Sequence, residues 1–154
     1  PLTTIDFVFD GTQYGGFVLF FDRLASQGNA RFLLQVRQTV TWMTFGYSTV
    51  IPSGGVSVTS DGTGVELTGN EQVDLFRGAV GTVTLGSSTA GGFATSTHPV
   101  LFDLTYRGSG SLRRVSGAGL CDSGGPLTGV RLLTASGVPF NNGAARFFGL
   151  RRTV

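Results

Sequence analysis

Residues 31–42 read RFLLQVRQTVTW, and their alternation decides the fold. The even positions carry Phe32, Leu34, Val36, Gln38, Val40 and Trp42; the odd ones carry Arg31, Leu33, Gln35, Arg37, Thr39 and Thr41. One side is almost wholly apolar and the other mostly polar, which is the period of a strand with one face on a core. A helical grouping of Leu33, Val36, Arg37 and Val40 would put an arginine in the apolar stripe. The closing Val, Thr and Trp also favour extended backbone. The stretch predicts a long central strand.

Working outward, Ile5, Phe7 and Phe9 alternate with Asp6, Val8 and Asp10, and Asp10-Gly11 predicts a hairpin turn. Residues 14–24 follow as a second strand, with the unbroken apolar run Phe17, Val18, Leu19, Phe20 and Phe21. Burial on both faces would explain that run, as would an oligomer interface on one of them. With residues 25–30 as a loop, the first three segments predict an antiparallel meander. Shorter strands are expected at Val56 and Val58, Val65 and Leu67, Val80 to Leu85, Val100 to Tyr106, Val130 to Thr134 and Ala145 to Leu150. Turns are expected at residues 51–55 and 60–62. Residues 70–77, NEQVDLFR, favour a strand, with a short helix capped by Asn70 as the alternative. Residues 108–119 are glycine- and serine-rich around LRRV, and residues 86–97 form a long polar loop.

A chain of 154 residues with 40% hydrophobic content and 13 phenylalanines fits one domain, residues 1–154, with ample core material. The 25 glycines, about twice the usual share, imply many turns and hence many strands. The expected class is all-β: an antiparallel β-sandwich or jelly roll, with a closed β-barrel as the alternative. There is no apolar run long enough for a membrane span and no visible signal peptide. The compartment therefore stays open, with a virion or extracellular setting slightly favoured.

All 11 basic residues are arginines. Residues 1–77 hold seven acids and four arginines, and residues 78–154 hold two acids and seven arginines, so the halves carry net charges of −3 and +5. Such halves could match across subunits, or the second could offer a basic face to a polyanion. The absence of lysine argues against nucleic acid. Arg113, Arg114, Arg151 and Arg152, together with Arg131 and Arg146, are the candidate anion-binding residues, because guanidinium groups grip sulfate or phosphate oxygens bidentately. Tyr14, Tyr47 and Tyr106 are candidate exposed aromatics for stacking on a sugar.

Catalytic signals are sparse. Residues 121–127, CDSGGPL, resemble the segment around the nucleophilic serine of trypsin-like serine proteases, with Ser123 in the nucleophile's place. The resemblance implies a histidine base within Ala-Ala-His-Cys and a buried aspartate, both well ahead of the serine. The sole histidine, His98 in STHPV, lacks those surroundings, and Cys121 stands where the family has glycine. A serine beside aspartate, glycines and proline is ordinary turn chemistry, and that is the preferred reading. One histidine and one cysteine do not make a zinc site, and no phosphate-binding glycine motif is present, so no cofactor is expected. Three functions follow in order. The first is a non-enzymatic structural subunit forming a homo-oligomer, as in a virion, tail or appendage. The second is a lectin-like domain binding a glycan or polyanion, and the third is a serine hydrolase using Ser123.

Overall fold

The computed structural model describes residues 2–10, 13–52, 56–69, 71–74, 77–86, 97–108, 110–122 and 127–151. Within them run β1 (Thr4–Val8), β2 (Tyr14–Ser26), β3 (Phe32–Gln38), β4 (Thr41–Trp42), β5 (Tyr47–Pro52), β6 (Val56–Gly62), β7 (Val65–Glu66), β8 (Ala79–Gly86), β9 (Thr97–Gly108), β10 (Ser111–Asp122), β11 (Leu127–Thr134) and β12 (Phe140–Arg151). One sheet has the order β1-β11-β3-β4, with β7 also on β3; the other has the order β12-β2-β8-β9-β10-β5-β6. Their pairings are antiparallel. Neither sheet closes on itself, so the fold is a two-sheet β-sandwich of jelly-roll character and not the closed barrel offered as the alternative. Phe17, Leu19, Val83 and Leu85 from the larger sheet meet Leu34 and Val130 from the smaller across a 10 Å³ void, with Phe147 at its side. Packing this dense is what an apolar face of alternating strand residues achieves when it meets another.

Residues 32–36 sit in the core as expected, but residues 31–42 are not one strand, and Val40, expected on the core side, is 73% exposed. Thr39 takes a φ of 54°, and a two-residue turn at Thr39 and Val40 folds β4 back so that Gln38 faces Thr41 and Arg37 faces Trp42. The supposedly polar side of β3 is covered too, since Leu33 and Gln35 are buried and Gln35 Nε2 donates to the Thr63 carbonyl at 2.6 Å.

The expected meander does not form. β1 pairs with β11, and β2 lies in the opposite sheet between β12 and β8. Aromatic packing accounts for the crossing: Phe7 and Phe9 stack on Phe147 at 5.1 and 5.3 Å, and Phe9 packs on Phe17 at 4.0 Å. The first strand thus faces the second across the sandwich instead of lying beside it.

Residues 108–119, read as glycine-rich connection, supply most of the 12-residue β10. Gly117 and Gly119 occupy core-facing positions that the Phe102 ring and the Val65 side chain fill, so a Cβ there would collide. Of the turn expected at 51–55, residues 53–55 lie outside the described residues, between β5 and β6; the turn expected at 60–62 falls at residues 63–64 instead, because β6 runs through Gly62. Of residues 70–77, Val73 makes only an isolated bridge to Ala30, and neither the strand nor the helix is seen among the described positions 71–74.

One tyrosine completes the edge of β3. That edge pairs with β7 at Leu33 and Leu34 and with β4 at Arg37 and Gln38. In the gap, the Val36 amide donates to Tyr47 Oη at 2.8 Å, and the Val36 carbonyl accepts from the Met43 amide at 3.0 Å. Tyr47 Oη in turn donates to the Met43 carbonyl at 3.2 Å. A buried amide left without its acceptor is costly. Tyr47→Phe is therefore expected to lower the unfolding free energy by about 1–3 kcal/mol in urea denaturation, while Tyr14→Phe, at a half-buried position, changes it by less than about 0.5 kcal/mol.

Candidate functional site

Because β2 turns Phe17, Leu19 and Phe21 to the core, it must turn Val18 and Phe20 outward. The register of the seven-stranded sheet extends that outward set into a row. Phe148 of β12 faces Val18, Val18 faces Thr84 of β8, Thr84 faces Leu101 of β9, Leu101 faces Ala118 of β10, and Ala118 faces Val50 of β5. Beside this row lie Leu150, Pro99 and Leu120, the last two directly opposed. On its other side Phe20 sits edge-on to Phe148 with ring centroids 5.6 Å apart.

Phe148 is 51% exposed, Leu101 60% and Phe20 44%, and Val50, Val80, Leu120 and Leu150 are exposed as well. Among the described residues no element packs over this face. Exposed apolar side chains gathered on one face in this way mark interaction sites, whereas singly scattered ones are ordinary. Towards β10 and β5 the face dips into a 230 Å³ groove lined by Ser48, Val50, Pro99, Leu101, Ala118 and Leu120.

On the side of Phe20 the face carries charge: Arg146 of β12 stands exposed opposite Phe20, and Asp103 pairs with Arg114. Arg114 clasps Asp103 with Nε at 3.0 Å and Nη2 at 2.6 Å, and Ser116 Oγ donates to the same carboxylate at 3.1 Å. Those hydrogen bonds, with the Arg114 charge, hold the Asp103 carboxyl below the usual carboxylate range.

The candidate arginines are not brought together. Arg113 and Arg114 are adjacent in β10 and so point to opposite faces; Arg113 pairs with Glu71 at 3.1 Å. Arg131 grips Asp6 bidentately at 2.8 and 2.7 Å, with its guanidinium 4.1 Å from the centre of the Trp42 ring. Arg151 ends β12, with its side chain outside the described residues, as is Arg152. The acids of the first half therefore meet arginines of the second within one chain, at Asp6 with Arg131 and Glu71 with Arg113.

The aromatic candidates need correction also. Tyr106 is buried, with its hydroxyl donating to the Thr68 carbonyl at 3.2 Å, and burial pushes its pKa up to about 12. Tyr47 is equally buried, which leaves only half-buried Tyr14 of the three, packed on Phe17 at 5.3 Å. The alternation of residues 99–106 puts Val100, Phe102, Leu104 and Tyr106 on one side, and that side is the core, which rules out Tyr106 as an exposed stacking ring. The long loop at residues 87–96 and Ser123 lie outside the described residues.

His98 and Cys121 do meet, as opposed residues of β9 and β10 on the core side. Burial pushes the Cys121 thiol up to about 12, helped by the Asp122 charge. Burial likewise pushes His98 down to about 4, against the pull of Asp122, whose Oδ1 accepts from Thr97 Oγ1 at 2.7 Å. Both shifts favour the neutral forms, the reverse of the thiolate and imidazolium that a cysteine nucleophile requires. Among the described residues no group of three or more His, Cys, Asp or Glu could hold a metal ion.

The fold is a β-sandwich, and among the described residues nothing covers the outer face of its larger sheet. No protein-family model, curated protein or solved structure matches the chain.

His98 gives this core a pH signature. Folding lowers its pKa from 6.5 to about 4, so the unfolded chain takes up the proton first as the pH falls. Stability from this residue is intact above pH 6.5 and lost between 6.5 and 4, by on the order of 2 kcal/mol. Asp103 and Asp6, whose pKa values are lowered below 3.8, act only beneath that window. Denaturation measured from pH 7.5 to 4 is expected to show the loss, and His98→Gln is expected to flatten it.

Proposed function

We propose that this chain is a structural, self-assembling subunit, and that the outer face of its seven-stranded sheet is where copies of it meet. The observation that carries the reading is the apolar row from Phe148 across Val18, Thr84, Leu101 and Ala118 to Val50. An antiparallel sheet with one face on the core ordinarily turns polar residues to water on the other. Along this row the outward positions are phenylalanine, valine, threonine, leucine and alanine, with the charged Arg146, Asp103 and Arg114 confined to Phe20's row and the one after it, and exposed apolar side chains gathered on one face mark interaction surfaces. Homo-oligomers are the commonest soluble assemblies, and a virion, tail or appendage is the kind of structure such a subunit would build.

Internal pairing of the arginines supports apolar contact over charge matching as the source of affinity. A glycan- or polyanion-binding role has less support, since Arg113, Arg114 and Arg131 are already held by carboxylates and Tyr106 is buried. Light scattering after size exclusion is expected to give a discrete oligomer whose mass holds from low to high salt, because apolar burial is not screened. Leu101→Glu is expected to yield a folded monomer. A wild type that stays monomeric at high concentration would contradict the reading.

A further inference from the structure

The outward face carries both halves of a fit. Near its β12 edge, Phe148 and Phe20 stand half exposed with their rings edge to face. Four strand spacings away in the same cross-strand row, about 19 Å, the side chain shrinks to Ala118 between Leu101 and Val50. There the 230 Å³ apolar groove opens. A cavity of roughly 150 Å³ is enough for a benzene ring, so the groove has room for a phenyl side chain.

We propose that two copies pack face to face about a twofold axis parallel to the strands near β8, with Phe148 of each seated in the Ala118 groove of the other. This rests on the assembly reading above and gives it a geometry. A twofold in that direction reverses the strand order while leaving the row in place, so β12 of one copy comes over β10 and β5 of its partner. Both contacts then form at once, as an isologous interface requires.

Charge and area favour a second copy as the occupant. Asp103 and Arg114 already neutralise each other, and the twofold that puts Phe148 over Ala118 also lays the exposed Arg146 of one copy over Ser116 of the other, beside Asp103. The twofold overlaps five strands of each copy, from β12 to β10, and Phe148, Phe20, Leu101, Leu120 and Leu150 all lie within that overlap; a standard interface buries roughly 800 Å² per partner. Aligned sheet-on-sheet packing is the arrangement that sandwiches already use inside their cores.

The test uses two variants of the full chain, Phe148→Ala to remove the ring and Ala118→Phe to fill the groove. Each alone is expected to weaken self-association at least tenfold in sedimentation equilibrium, with an unchanged thermal melt. An equal mixture is expected to recover a dimer, because the intact ring of one variant meets the intact groove of the other while the shortened side chain meets the filled groove. If Ala118→Phe disturbs folding, Ser48→Tyr fills the same groove from β5. A wild type that self-associates while the mixture does no better than either variant overturns this geometry and leaves the assembly reading standing. Growth into open polymers likewise overturns the twofold, and a monomeric wild type overturns both.

Discussion

Contact between the inner faces of β2 and β8 and those of β3 and β11 is the constraint on which the rest of the molecule depends. Phe17, Leu19, Val83 and Leu85 pack against Leu34 and Val130 with almost no space between them. Strand alternation makes that contact decide both sides of the larger sheet, for a slip of one residue would exchange every inward and outward side chain. With Phe17 and Leu19 inside, Val18 and Phe20 have nowhere to go but out. The uncovered apolar face is thus a geometric consequence of the core, read through the same residues. What is unusual is the composition of the outward set, because nothing in the packing of the core demands Phe148, Leu101 or Leu150 on the water side.

The smaller sheet shows how the chain protects what it buries. β3 has β11 along one edge and two short strands along the other, and the gap between them is closed by the Tyr47 hydroxyl and the Met43 amide. Buried polar groups in this fold are committed to such structural bonds. Tyr106 reaches Thr68, and His98 and Cys121 are held in their neutral forms by burial. The arginines are spent similarly, with Arg131 tying β11 to Asp6 of β1 and Arg113 tying β10 to Glu71. Little reactive chemistry is left over among the described side chains, and the surface property that stands apart is apolar.

Period-two alternation made the all-β class and much of the core legible from residues 4–9, 32–38 and 100–106. It also singled out residues 17–21 as a run with two faces to account for. Three things escaped it for physical reasons. Strand partners are set by contacts distant in sequence, so the stacking of Phe7 and Phe9 on Phe147 across the sandwich could not be read locally. Glycine signals turns by its backbone freedom, yet Gly117 and Gly119 lie within a long strand because neighbouring side chains need their space. The apolar row itself spans six strands from five separate regions of the chain, and only the register aligns it.

The most direct measurement is hydroxyl-radical footprinting of the full chain across a dilution series. The account predicts that Phe148, Phe20, Leu101 and Leu120 are labelled in dilute protein and protected as concentration rises. Val40, 73% exposed at the turn between β3 and β4 of the smaller sheet, should stay equally labelled throughout. Uniform labelling of the face at every concentration, in protein that remains folded, would contradict the claim that copies of this chain meet there.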